Sequence, residues 1–157
     1  MKIRTVTLGL LVGSVLITSI ALVNALTVKQ VMNWTTPVNT LIVFAFALLH
    51  GAQQLGCKRI LTMFVIVSAI SLAFESYGVA SGNVYGPYHY TEMLGPKFLG
   101  LVPYLIPVAW FMMMYASYVI ADMVIPAKFG STFVRLLAVA AVTGIAMTAW
   151  DTAMDPV

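Results

Sequence analysis

Residues 60–80 read ILTMFVIVSAISLAFESYGVA, and this run decides what kind of protein the chain is. Crossing the hydrocarbon core of a bilayer takes about 20 apolar residues in a helix rising about 1.5 Å per residue. The run meets that length with one acidic side chain, Glu75. Working outward, four more segments qualify: 6–26 and 38–55 before it, 101–125 and 132–150 after it. Breakers mark the joints at Thr36-Pro37, at Gly56 ahead of Lys58-Arg59, through the Gly/Pro-rich 81–100 stretch, and from Pro126 to Gly130. Composition agrees, since 61% of the 157 residues are hydrophobic and 8% are charged. A soluble domain carries roughly a quarter charged residues and could not hide this much apolar surface from water. The fold class expected is therefore all-α, a polytopic transmembrane helix bundle of about five helices forming one domain over 1–157.

The other composition signals mostly exclude. Ten Met and a single Cys, Cys57, rule out a disulfide framework. The net charge of +3 comes from eight scattered Lys and Arg with no basic run, so no nucleic-acid partner is expected. Lys2 and Arg4 precede an apolar run, and Val23-Asn24-Ala25 resembles a signal-peptidase site. That run is longer than the roughly 7–15 residues of a signal peptide's apolar region, so a retained first helix is expected. Cations orient the chain. With the N-terminus cytoplasmic in a cell membrane, Lys2, Arg4, Lys58, Arg59, Lys128 and Arg135 lie inside, against Lys29 and Lys97 outside. The 81–100 loop then lies on the outer face.

Polar chemistry is concentrated at that face. Ser68, Ser71, Glu75 and Gly78 recur at helical spacing and make one small, polar stripe on the third helix. Gly144, Thr148, Asp151 and Asp155 form a similar stripe on the fifth, and His89 and Glu92 lie in the loop. A carboxylate at a helix end is often merely interfacial, which is the plain account of Glu92 or Asp155. Asp122 is expected to pair with Arg135, Lys128 or Lys58, and His50, beside Gln53 and Gln54, to be a packing histidine. Glu75 and Asp151 are harder to dismiss, because an ionisable group below the interface costs several kcal/mol and marks a functional site by default. Tyr77, Tyr85, Tyr88 and Tyr90 could form an interfacial aromatic belt. Their loop is much longer than the other joints, however, and a long loop without its own secondary structure is commonly a lid or binding segment.

No serine or cysteine is set up for activation, and no phosphate cradle is present. His89-x-x-Glu92 is too little for a metal site, so neither metal nor cofactor is expected. What remains is carboxyls, tyrosines and an apolar surround. A carboxyl shut away from water holds its proton toward neutral pH and can donate it. Aromatic faces stabilise a developing cation. Such a site, open to lipid, suits protonation of an isoprenoid alkene, with a second carboxylate orienting the water that captures the cation.

The run E-x-x-G-V-A-S-G-N-V-Y-G-P-Y-H-Y-T-E-M-L-G-P-K from Glu75, the following G-L-V-P-Y-L-I-P-V-A-W-F-M-M-M-Y, and the closing W-D-T-A-M-D-P-V resemble the integral-membrane carotenoid biosynthesis family, of the carotenoid 1,2-hydratase and bisanhydrobacterioruberin hydratase type. The resemblance covers Glu75 to the terminus. It implies a hydratase that adds water to the terminal double bond of an acyclic carotenoid without a cofactor. Membrane lipid and other carotenoid-pathway enzymes are the further partners it suggests. It carries no assigned catalytic residue, so the roles rest on chemistry. Glu75 or Asp151 would give the proton, the other with Asp155 would position water, and Tyr88, His89, Tyr90, Glu92 and Trp110 would bind the substrate end. Relatives continue beyond the D-P-V, so a truncated C-terminus is expected. Two rivals remain. Asp151-x-x-x-Asp155 could hold Mg²⁺ and diphosphate in a prenyl transferase, and intramembrane acids also suit a proton- or ion-conducting or structural subunit.

Overall fold

A computed structural model describes residues 2–29, 34–83 and 86–154. It is an α-helical protein with five helices long and apolar enough to cross a membrane. They are α1 (Lys2–Thr27), α2 (Thr35–Leu55), α3 (Cys57–Ser81), α4 (Leu105–Val124) and α5 (Thr132–Met154). Each expected segment is present, with ends shifted by a few residues as polar flanking turns join the helices. The fourth starts at Leu105 rather than 101. Val102 and Pro103 instead form a strand, β2, antiparallel to β1 (Lys97–Phe98). Proline disfavours helical backbone at the residue before it, which keeps Val102 extended. Pro107 is tolerated because it falls in the first turn of α4, where backbone N–H groups have no partner inside the helix.

The long loop, expected to lack secondary structure, needs correcting too. It holds one 3₁₀ turn, Glu92–Leu94, and the β1–β2 ribbon. Leu99 and Gly100, with φ of 51° and 72°, make the tight turn between the strands, and the Leu101 N–H donates to the Phe98 carbonyl.

The chain divides into two compact units, 1–111 and 112–157, with α4 contributing to both. In the first, α1 packs on α2, α2 on α3, and α3 on β2. An aromatic cluster anchors it: Phe44 of α2, Phe64 of α3 and Phe111 of α4, with ring centroids 5.1–5.8 Å apart. Tilted and edge-on rings at this spacing gain roughly 0.5–1.5 kcal/mol per pair beyond area burial. Asn39 Nδ2 donates to Thr18 Oγ1, tying α2 to α1 by a polar contact between apolar helices. Ser71, Glu75 and Gly78 are all buried on α3, as the polar stripe required.

In the second unit, Arg135 of α5 pairs with Asp122 of α4 at 2.7 Å. The same guanidinium donates to the Asp122 carbonyl, an acceptor that the last turn of α4 leaves open, and to the Ile125 and Pro126 carbonyls just beyond the helix. Of the three cations expected to pair with Asp122, Arg135 is the one that does. The polar stripe on α5 is not its buried face: Val139 and Thr143 are buried, whereas Gly144 and Thr148 are exposed.

Candidate functional site around Glu75

Glu75 lies six residues before the end of α3, about 9 Å along the helix axis from it. Its side chain is 7% exposed. A carboxyl so placed needs partners, because an unmatched buried polar group costs several kcal/mol. Three side chains supply them. Trp110 Nε1 donates to Oε1 at 2.9 Å, and the Tyr88 and Tyr90 hydroxyls each donate to Oε2 at 2.8 Å.

Local sequence explains how these groups arrive. Gly82 ends α3 in the left-handed conformation (φ 66°), and its N–H donates back to the Gly78 carbonyl. Only glycine enters that conformation without a steric cost. The chain then folds back along α3, and residues 88–90 run without helical structure beside it. Side chains on an extended run point alternately to opposite sides. Tyr88 and Tyr90 therefore both face Glu75, with their rings edge-on at 5.8 Å, while His89 is exposed. Gly78, one turn after Glu75, makes the approach possible: a Cβ there would sit 2.8 Å from the Tyr88 hydroxyl oxygen. Trp110 comes from the second turn of α4, and the β1–β2 ribbon precedes that helix.

Lys97 fastens the loop. Its ammonium donates to the Tyr90 carbonyl and to Glu92 Oε1, both at 2.7 Å. The lysine side chain is 15% exposed and that of Glu92 88% exposed. Glu92 thus serves as one end of a surface ion pair above the tyrosines. Lys97 was no candidate from the sequence, although its spacing of five residues from Glu92 was the available signal.

Chemically, the arrangement offers the carboxyl donors on both oxygens. Indole N–H is a donor only, so Trp110 commits Oε1 to accepting. The Tyr88 and Tyr90 hydroxyls donate to Oε2, and a phenol oxygen can also accept, so Oε2 is the oxygen at which hydrogen bonds can reverse. Glu75, Tyr88, Tyr90 and Trp110 are brought together. Asp151 lies on α5 in the second unit, Glu92 is paired with Lys97, and Asp155 and Tyr85 fall outside the described residues. Among the described residues, no group of three or more His, Cys, Asp or Glu gathers as metal ligands would.

Five membrane-length helices, and in the first unit a buried carboxyl caged by tyrosine and tryptophan, define a polytopic membrane protein with a polar site. The chain belongs to the carotenoid biosynthesis protein family, whose pattern matches residues 33–157. It is 31% identical over 114 residues to a bisanhydrobacterioruberin hydratase of Haloarcula japonica, covering 73% of this chain and 38% of that protein. The chain thus spans well under half the length of that relative. No solved structure matches the chain.

Proposed function

We propose that the protein is a hydratase of carotenoid biosynthesis, adding water to the terminal double bond of an acyclic carotenoid at the Glu75 site without a cofactor. The observation that carries this is the convergence of three hydrogen-bond partners on one buried carboxyl, in a protein otherwise built for lipid contact. Family membership and the hydratase relative support the substrate class and the reaction.

Tyr88 or Tyr90 gives its hydroxyl proton to the less substituted carbon of the terminal alkene and takes the proton of Glu75 Oε2 in its place. The other alkene carbon becomes a tertiary cation, facing aromatic rings whose electron-rich faces stabilise positive charge. A water oxygen bonds to that carbon, and the proton it sheds returns through the tyrosines to Glu75. One water is added, and the protein ends as it began. Trp110 positions the carboxyl throughout, by holding Oε1 and leaving Oε2 to the proton. Asp151, on α5 in the second unit, is the rival acid for the donor role.

The test is expression in cells that accumulate lycopene-type carotenoids, grown in ¹⁸O-water, with extracts read by mass spectrometry. A hydrated, labelled product is expected from the wild type, and its near-complete loss from Glu75→Gln. Absence of labelled product across several acyclic carotenoids would refute the hydratase assignment. Full activity in Glu75→Gln with loss in Asp151→Asn would move the site to α5.

A further inference from the structure

The first unit carries a second polar feature that the Glu75 chemistry does not use. Where the start of α1 meets the end of α2, a groove of about 860 Å³ is lined by Arg4, Thr5, Thr7, Leu8 and Leu11 on one side and Phe46, His50, Gln53 and Gln54 on the other. The lining is graded. Arg4, Gln53 and Gln54 belong to the helix ends, His50 lies one turn further in with its ring stacked on Phe46 at 5.5 Å, and Leu8 and Leu11 come next along α1. From Arg4 to Leu11 is about 10 Å along the helix, the distance over which a bilayer passes from headgroup to acyl chain. Leu8 and Leu11 are 61% and 46% exposed, so the apolar end of the groove is open to lipid.

Charge decides the occupant. No Asp or Glu occurs in the chain before Glu75, so neither α1 nor α2 carries an acid to answer Arg4. The two acids of the first unit are committed elsewhere, Glu75 to its aromatic cage and Glu92 to Lys97. A site with a guanidinium, an imidazole, two amides and no carboxylate complements a phosphate. No carboxylate is present there to answer the ammonium of a zwitterionic headgroup. We propose that this groove is a binding site for an anionic phospholipid of the surrounding membrane. The phosphate sits on Arg4 and the Gln53–Gln54 amides, and the upper acyl chain runs along Leu8, Leu11 and Phe46. The proposal stands independently of the reaction at Glu75.

The test uses the full chain in nonionic detergent, titrated with phosphatidylglycerol, phosphatidylcholine or inorganic phosphate, and followed by native mass spectrometry and thermal unfolding. Phosphatidylglycerol is expected to remain bound and raise Tm, with phosphatidylcholine and phosphate well behind. Arg4→Gln should weaken phosphatidylglycerol binding by about fivefold, the usual worth of one cation at a membrane surface. Leu8→Glu, which places an acid on an exposed position of the groove, should abolish the preference, and Lys29→Gln, outside the groove, should leave it intact. Equal binding of the two lipids, a shift reproduced by phosphate alone, or an unchanged preference in both Arg4→Gln and Leu8→Glu would overturn the proposal.

Discussion

Gly78→Ala adds one methyl group to α3, and its expected effect can be worked from the geometry. The new Cβ would lie 2.8 Å from the Tyr88 hydroxyl oxygen, with the ring carbons Cε1 and Cζ at 3.5 and 3.6 Å. Only the hydroxyl is too close, and it must retreat by about 0.6 Å to reach ordinary van der Waals contact. That hydroxyl is also 2.8 Å from Glu75 Oε2. A retreat of that size takes an O–H···O bond beyond its useful range, a loss of about 1–2 kcal/mol. Alanine is better than glycine within a helix by about 0.5–1 kcal/mol. The net expectation is destabilisation by about 0–1.5 kcal/mol, centred near about 0.75 kcal/mol, where Tm falls by about 1.5–3 °C in a chain of this size. Tyr88→Phe removes the obstructing oxygen and leaves the ring. In that background Gly78→Ala should be stabilising, by about 0.5–1 kcal/mol from helix propensity alone. The assay is a double-mutant cycle on thermal unfolding in detergent, followed by circular dichroism. An effect of the same sign and size in both backgrounds would refute the idea that Gly78 is there to admit the Tyr88 hydroxyl.

Other contacts carry three further outcomes. Trp110→Phe keeps a ring but deprives Glu75 Oε1 of its donor, so stability should fall by about 1–3 kcal/mol and hydration activity with it; unchanged melting would show that the N–H contributes nothing. Lys97→Met releases the Tyr90 carbonyl and Glu92 together, so amide exchange should quicken across 86–96 and stay unchanged within α3; protection retained across 86–96 would remove Lys97 as the fastening. Arg135→Ala should cost at most about 1 kcal/mol, because Asp122 and Arg135 are both partly exposed, and should loosen amides at the end of α4; the cost should shrink further at high salt, and a loss of several kcal/mol would mean the pair is far better shielded than its geometry indicates.

The membrane fold was legible because its cause is local. A run such as 60–80 must satisfy its own backbone hydrogen bonds inside lipid, and a helix of that length does so whatever its neighbours are. The burial of Ser71, Glu75 and Gly78 has the same origin, since polar groups at helical spacing turn away from lipid together. The same expectation failed on α5, where Gly144 and Thr148 are exposed and Thr143 is buried. A stripe of small residues records only that a face could pack, and the neighbouring elements decide which face does. The start of α4 was misplaced because hydropathy cannot separate a buried ribbon from a helix turn, and Val102 and Pro103 sit in the same apolar run as the first turns of α4.

By itself the sequence determined the number of spanning helices, their approximate ends, and that Glu75 would be a submerged acid near a tyrosine-rich loop. It also gave Asp122 a cationic partner, with Arg135 one of three candidates. Tertiary structure alone decided which groups meet Glu75. Tyr88, Tyr90 and Trp110 are 13, 15 and 35 positions away from it, and each reaches the carboxyl by the path of the connection rather than by helical spacing. That path depends on a left-handed glycine at 82, the extended alternation at 88–90, the Lys97 fastening and the turn at Leu99-Gly100. Periodicity can say that a carboxyl is buried. Which atoms satisfy it depends on the direction in which the chain returns.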